Sequence, residues 1–524
     1  MSVYFCTQFR PLFRRSCHLN IMTSICQKRY FAYDDAIKAL STLHYRPASK
    51  NIVLPGEKTS PENKLRSMRR LIELSGISHK ELKRLKVIHI SGTKGKGSTC
   101  AMIESIIRKS YSLKTGFYSS PHLISATERI RISGRPISQE KFSDYFWPLY
   151  NKLKDSKEDI FFFKILTVMA LNVFIKEKVD IAIIEVGIGG TYDCTNIIDN
   201  PVACGITALG LDHTSLLGNT IQEIAWHKAG ICKPNVPVFV NAYQAPEAMS
   251  VIKKIAKERG APLYIAPEFS TYDWNSHSPL LGIDGHIQLQ NAGLALQIAK
   301  YVLSLHEPQN FSPGKPFKLS CSDKEGLASC SWPGRFHRIQ RNDQITLYLD
   351  AAHTKESIEA CVDWYLKRNS RKKNTKRILL FNATRDHDSE AMLEIIKRKL
   401  SFDIVVFCTN VILPTHEISD NTYPDRVIQE MFKRCIIHKD YWLKTGKSVE
   451  DRVCVIPYIA HALLWITSGK DGHLSKKFGK EKVYFLDQTD YLLEMESCND
   501  ELEILITGSL HLVGDVMNAC DVEL

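Results

Sequence analysis

The turn Gly92-Thr93-Lys94-Gly95-Lys96-Gly97-Ser98 has the residue types of a phosphate cradle. Its glycines let backbone N–H groups face an anion without Cβ clashes, and Lys96 adds a point charge suited to terminal phosphates. Gly97 separates Lys96 from Ser98, so the strict G-x-x-x-x-G-K-[ST] spacing is not met. The reading rests on context, because two lysines and two hydroxyls crowd one turn. Such a cradle calls for magnesium and oxygen ligands nearby. Glu185, closing an apolar run before Val186-Gly187-Ile188-Gly189-Gly190, is the leading metal ligand, since a buried carboxylate is costly unless paired or metal-bound. Pairing with a lysine at the sheet edge is the alternative. Ser120, in Ser119-Ser120-Pro121-His122, offers a hydroxyl, and His213, in Asp212-His213-Thr214, an imidazole. Histidine is an unusual magnesium ligand, so chemistry alone favours a satisfied strand-end histidine there.

The elements that must position these groups follow from periodicity. Val87, Ile88 and Ile90 read as a strand, and Ile103, Ile106 and Ile107 recur at helical spacing, which puts the glycines in a strand-to-helix turn. Further buried strands are expected near Gly116-Phe117-Tyr118 and at Ile181–Val186 and Cys204–Leu211. In a parallel sheet their carboxyl ends, each followed by a polar cluster, converge on one mouth. Ala36, Ile37, Leu40 and Leu43 predict a short helix upstream, and Phe161, Phe162 and Phe163 open an apolar helix. Pro308–Pro333 reads as a linker. Beyond it, strands are expected at Thr346–Asp350, Arg377–Phe381, Asp403–Cys408, Val483–Leu486 and Glu503–Thr507, with Asp420–Gly446 as an irregular insertion. The expected class is α/β, with residues 33–310 forming a P-loop parallel-sheet domain, 311–331 a linker and 332–524 a smaller Rossmann-like domain.

Composition bounds the function classes. With 524 residues, 44% hydrophobic and 24% charged, the chain is long enough for two cores, and no apolar run approaches membrane-spanning length. The net charge of +12 suits polyanionic small molecules, and no zinc-finger or RNP-like pattern argues for nucleic acid. The basic run Arg368–Arg377 reads as a solvated loop. Fifteen cysteines without a C-x-x-C speak against a disulfide framework or a zinc site. Residues 1–32 carry Arg10, Arg14, Arg15, Lys28 and Arg29 but no acid, interleaved with Phe5, Phe9, Leu12 and Phe13, as a mitochondrial transit arm does. Met22 offers a second start, so supply to both the matrix and the cytoplasm is expected.

Several blocks together resemble the folylpolyglutamate synthase family of the Mur ligase superfamily. They are Gly92–Ser98, Ser119–His122, Glu128-Arg129, Glu185–Gly190 with Asp193 and Asn196, Leu211–Thr214, Ile224–Gly230, Trp332–Phe336, Leu349–His353, Leu380–Asp386 and Thr507–Gly514. The resemblance implies a Mur-ligase-like fold and a monomeric ligase. Mg-ATP would activate a folate-linked glutamate carboxylate as an acyl phosphate, which the amine of L-glutamate then attacks. It implies ATP and two Mg2+ ions and admits a monovalent cation. Ser120, Glu185 and His213 match the magnesium ligands, Lys96 with its neighbours the triphosphate grip, and Lys228 a carbamylated lysine. Arg335, Asp350, His353 and Asn291 match nucleotide-side or catalytic positions, which puts the site between the domains. The family's usual Gly-x-His-Gln is here Gly285-His286-Ile287-Gln288, Ala351 replaces a usual glycine, and Arg385-Asp386 replaces Gly-Asp. Dihydrofolate synthase shares nearly every block; Lys94 resembles the eukaryotic polyglutamylating branch, where the sister activity usually has asparagine. A protein that binds ATP without ligating anything is the rival from another class.

Overall fold

Apolar runs buried on both faces build two mostly parallel sheets. The computed structural model describes residues 33–43, 61–274, 280–305, 311–369, 374–383, 388–414, 425–444, 452–481, 483–485 and 500–522. The arm with Met22, Pro308, residues 370–373 of the basic run, Arg385, Asp386, Asp420, Gly446 and Leu486 lie outside them. The first sheet comprises β1 (Val87–Ser91), β2 (Thr115–Tyr118), β3 (Ile130–Ile132), β4 (Arg135–Pro136), β5 (Ile181–Glu185), β6 (Ala203–Ile206), β7 (Val238–Val240) and β8 (Leu263–Ile265). Their order is β4-β3-β2-β5-β1-β6-β7-β8, with β3 and β4 antiparallel at one edge. In register, Ile88 of the central β1 lies between Ile183 of β5 and Ala203 of β6. Every residue of β1, β5 and β6 is buried, as continuous apolar strands covered on both faces require. Helices Gln139–Leu153 and Phe162–Lys176 build the core on one side, and Lys96–Tyr111 and Ile287–Ser304 build the one on the other.

The second sheet comprises β9 (His337–Asn342), β10 (Ile345–Leu349), β11 (Thr375–Phe381), β12 (Ile404–Phe407), β13 (Arg452–Val455) and β14 (Glu501–Thr507). Its order is β13-β12-β11-β14-β10-β9, with only β9 antiparallel.

Three expectations need correction. The run Cys204–Leu211 leaves the sheet after Ile206, because Ala208 turns its carbonyl to accept from the N–H groups of Thr93 and Lys94. Residues 483–485 are not strand; the sheet's outer position is taken by β13 instead. Within the stretch expected to be irregular, Asp425–Lys444 is a 20-residue helix that buries Met431, Cys435, His438 and Trp442 at helical spacing. The stretch 311–331 also holds a helix, Cys321–Ala328, closed by a Ser320–Asp323 capping box.

The two halves interlock. Leu123, from the loop after β2, belongs to the core formed by Ile345, Leu349, Val513 and Val516. A Cβ at Gly514 would sit 2.1 Å from the Leu123 carbonyl oxygen, so only glycine allows this approach. On another side, both carboxylate oxygens of Asp284 accept from Arg368, at 2.5 and 2.8 Å, and one also accepts from the Trp364 indole at 2.8 Å. No helix among the described residues is long and apolar enough to cross a membrane. The described cysteines other than Cys321 are buried.

Candidate active site

The phosphate turn is fixed from two directions. Thr93 and Lys94 donate their N–H groups to Ala208 O at 3.0 and 3.1 Å, and Thr93 Oγ1 donates to Gly210 O. Gly95, with φ of +83°, ends the turn as the N-cap of helix Lys96–Tyr111, and a Cβ there would lie 2.2 Å from Asn291 Oδ1. Asn291, itself donating to Gln288 Oε1, thus closes over the turn. Gly92 lies against Thr207, and Gly97 against the indole of Trp332, a residue of the second half. Ser98 is buried in the first helical turn. The amino end of a 16-residue helix and an inward lysine make this a ready anion site.

Glu185 and Ser120 meet there. The Ser120 N–H donates to Glu185 Oε2 at 3.3 Å, and Lys96 Nζ stands 4.0 Å from Oε1. Burial pushes the Glu185 carboxyl above its usual range, while Lys96, Ser120, Arg335 and Arg129 pull it back. One buried carboxylate therefore faces three cations. Arg129 was not singled out from the sequence, although it follows Glu128 in a quoted block. It donates from Nε to His122 Nδ1 at 2.8 Å and lies 4.9 Å from the Phe162 ring centroid.

The loop after β6 brings further charges. Lys94 pairs with Asp212 at 2.9 Å; burial would raise the Asp212 carboxyl, but this partner holds it below the ordinary range. His213, exposed on the rim, caps the short helix Thr214–Leu217, and no hydrogen bond joins it to Glu185 or Ser120. Desolvation holds its imidazole below the usual range, Asp212 opposes this, and Lys96, Lys228 and Lys94 reinforce it. Lys228, on helix Ile221–Ala229, is only 3% exposed. Burial and then the charge of Lys96 bring its ammonium down to about 7. An amine held there is about half unprotonated near neutrality, and that fraction is nucleophilic.

The second half completes the cleft. Asp350, buried after β10, accepts from the N–H groups of Phe336 at 2.8 Å and Ala352 at 3.0 Å, so it shapes both the turn that presents Arg335 and the turn that presents His353. Burial raises its carboxyl to about 6 against the pull of Arg335. Arg335 stands between Asp350 and Glu185. His353 Nδ1 bonds Ala351 O at 2.8 Å, and its ring acts electrostatically on Asp212 across the cleft. Ser119, Pro121, Trp332 and Arg335 line a small cavity of about 20 Å³ at this junction.

Among the described residues, no group of three His, Cys, Asp or Glu side chains is gathered as a metal site. What does converge is one buried carboxylate, Glu185, beside the phosphate cradle with the Ser120 N–H hydrogen-bonded to it, and this fits Mg2+, which keeps waters and binds through one or two carboxylates plus substrate phosphates.

No protein-family model matches the chain. It is 36% identical to "Folylpolyglutamate synthase, mitochondrial" of Cricetulus griseus, covering 93% of this chain and 91% of that one. The human protein of the same name is also 36% identical, with 94% and 92% covered. "Probable folylpolyglutamate synthase" of Schizosaccharomyces pombe is 36% identical over 93% and 94%. Among solved structures, a Mycobacterium tuberculosis folylpolyglutamate synthase complexed with ADP and AMPPCP superposes with a TM-score of 0.62 at 22% identity, covering 88% of this chain and 96% of that one. The E. coli FolC complex with DHPP and ADP gives 0.62 at 23% identity, over 87% and 93%. These two share the fold.

Proposed function

The chain belongs to the folylpolyglutamate synthase family and is an ATP-dependent ligase of that activity, and from this premise we propose how its own residues divide the work. The substrates are a tetrahydrofolyl-(poly)glutamate, L-glutamate and ATP. The folate's terminal γ-carboxylate attacks the γ-phosphorus, ADP leaves, and an acyl phosphate forms. The glutamate amine then attacks the acyl carbon, phosphate leaves, and the amine proton passes to solvent. A carboxylate is a poor electrophile, whereas its phosphate anhydride carries a good leaving group, which is why ATP is consumed.

Each step concentrates negative charge, and the single observation supporting the assignment is the cationic cleft built to receive it. Lys96, Arg335 and Arg129 share Glu185, with Lys228 and the Asp212-paired Lys94 beside them. In this reading the backbone N–H groups of the Gly92–Ser98 turn and Lys96 grip the phosphates. Asn291 closes the nucleotide side. Arg335 and His353 bring the second half's groups to the transferring phosphoryl, with Asp350 holding both turns. Ser120, Glu185 and His213 would hold Mg2+, together with a carbamate formed on Lys228. The metal, when bound, neutralises phosphate charge. A carbamate in place of the ammonium would relieve the repulsion between Lys228 and Lys96 and add oxygen donors.

The Cricetulus griseus and human relatives are named mitochondrial, which supports the reading of residues 1–32 as a transit arm, and Met22 is the start proposed for a cytoplasmic form. Fusing residues 1–32 to a reporter tests this, and a purely cytosolic signal overturns it. The activity is tested by mass spectrometry of products formed from tetrahydrofolate, glutamate and Mg-ATP, where successive glutamyl additions are expected. Product from dihydropteroate alone would move the assignment to the sister synthase.

A further inference from the structure

The loop between β2 and β3 does two jobs at once. At its start, Ser120 meets Glu185; a few residues on, Leu123 is seated in the core of the second half. Between these points the loop is held by a buried carboxylate. Glu128 accepts from three consecutive N–H groups, those of Leu123 at 3.0 Å, Ile124 at 2.7 Å and Ser125 at 2.6 Å. Charge-assisted bonds to successive amides fix a backbone more firmly than neutral ones. The Ser125 hydroxyl in turn accepts from the Thr127 N–H and shares a 2.8 Å hydrogen bond with the hydroxyl of Tyr33.

Tyr33 is remote in sequence and immobilised by its own surroundings. It is 2% exposed, its ring meets Phe142 edge-on at 5.3 Å, and it begins the helical residues 33–43, whose Ala36, Ile37, Leu40 and Leu43 are in the same core. A hydroxyl fixed this rigidly is a reference point for the loop rather than a follower of it.

We propose that Tyr33 is a positioning residue of the ligation site: through Ser125 it sets the loop that presents Ser120 to Glu185 and seats Leu123 in the opposite core. The Tyr33 hydroxyl thereby acts on the catalytic site from a distance, through the loop and not by touching the reacting groups. The proposal rests on the reading of Ser120 as a magnesium ligand, and the experiment separates the two.

Full-length protein and the variants Tyr33→Phe, Ser120→Ala and Ile37→Val are compared for the magnesium concentration that gives half-maximal ligation, for amide hydrogen exchange in peptides spanning residues 119–129, and for melting temperature. Tyr33→Phe keeps the ring on Phe142 and removes only the hydroxyl. Losing one such bond is expected to raise the half-saturating magnesium about fivefold and to speed exchange at Leu123–Ser125 by a similar factor. Ile37→Val, which thins the same packing, should lower melting at least as much and leave both other readouts at wild-type values. Wild-type magnesium dependence and exchange in Tyr33→Phe, beside a raised requirement in Ser120→Ala, overturns the proposal. If Ser120→Ala itself leaves the magnesium dependence unchanged, the ligand reading fails. Exchange in Tyr33→Phe then decides alone, and unaltered protection of Leu123–Ser125 overturns the positioning role.

Discussion

Replacing Lys228 with methionine should stabilise the protein while abolishing its activity. The side chain is 3% exposed, and its ammonium falls from 10.5 to about 7, chiefly through burial and then through Lys96. A drop of that size corresponds to roughly 5 kcal/mol of differential interaction between the two protonation states. Below pH 7 the lysine is protonated in both the folded and unfolded chains, so the full cost falls on the folded state. Between about pH 7 and 10.5 the unfolded chain binds more protons than the folded one, and stability rises with pH until the cost is gone. Lys228→Met, which keeps the stem and discards the charge, should therefore unfold at higher urea than wild type at pH 6.5 in carbon-dioxide-free buffer. The gain should shrink steadily and vanish near pH 10.5. Relaxation and water entry will hold it below the roughly 5 kcal/mol ceiling. Adding bicarbonate and Mg2+ near pH 8 should stabilise wild type but not the variant, because only the lysine can form a carbamate. A variant less stable than wild type at pH 6.5, or a gain that does not change with pH, would refute the buried-charge reasoning.

Glu185→Gln removes the carboxylate that Lys96, Arg129 and Arg335 share and should lower kcat on the order of 100-fold or more, with melting temperature retained, in a steady-state ligation assay. Gly95→Ala forces a side chain into φ of +83° and against Asn291. Left-handed strain of about 1–2 kcal/mol alone should weaken nucleotide binding about tenfold, measured by calorimetric titration with a non-hydrolysable ATP analogue. Asp284→Ala frees Arg368 and the Trp364 indole from their shared acceptor and should cost about 1–2 kcal/mol by urea unfolding, with a larger radius of gyration in solution scattering.

The parts of the molecule closest to the chemistry were the most legible in the sequence. The turn between β1 and its helix carries glycine, lysine and hydroxyl at positions that backbone geometry alone explains, and strands β5, β11 and β14 contain the buried apolar runs Ile181–Ile184, Ile378–Phe381 and Ile504–Ile506. The short strands β3, β4, β7 and β8, at and next to the two edges, were not seen, since two to three residues of strand hold no period. Strand β9 reads His-Arg-Ile-Gln-Arg-Asn, and a sheet edge tolerates such a sequence that hydrophobicity does not reveal. Helix Asp425–Lys444 escaped because its buried face includes Cys435 and His438, which a search for aliphatic periodicity passes over. At the site, Lys96, Glu185 and Ser120 were found from type and spacing and do converge. The part played by Arg129 was not legible, because its importance depends on a histidine and a glutamate brought close only by folding.

Because Leu123 completes a core it does not belong to by sequence, neither half of this chain is a self-sufficient product. Severed near residue 320, the upstream fragment would carry a greasy knob into water, and the downstream fragment would inherit a hole against Gly334, Val513 and Gly514. Co-expressed fragments should therefore find each other and reassemble, and a split reporter could be built on that mutual need.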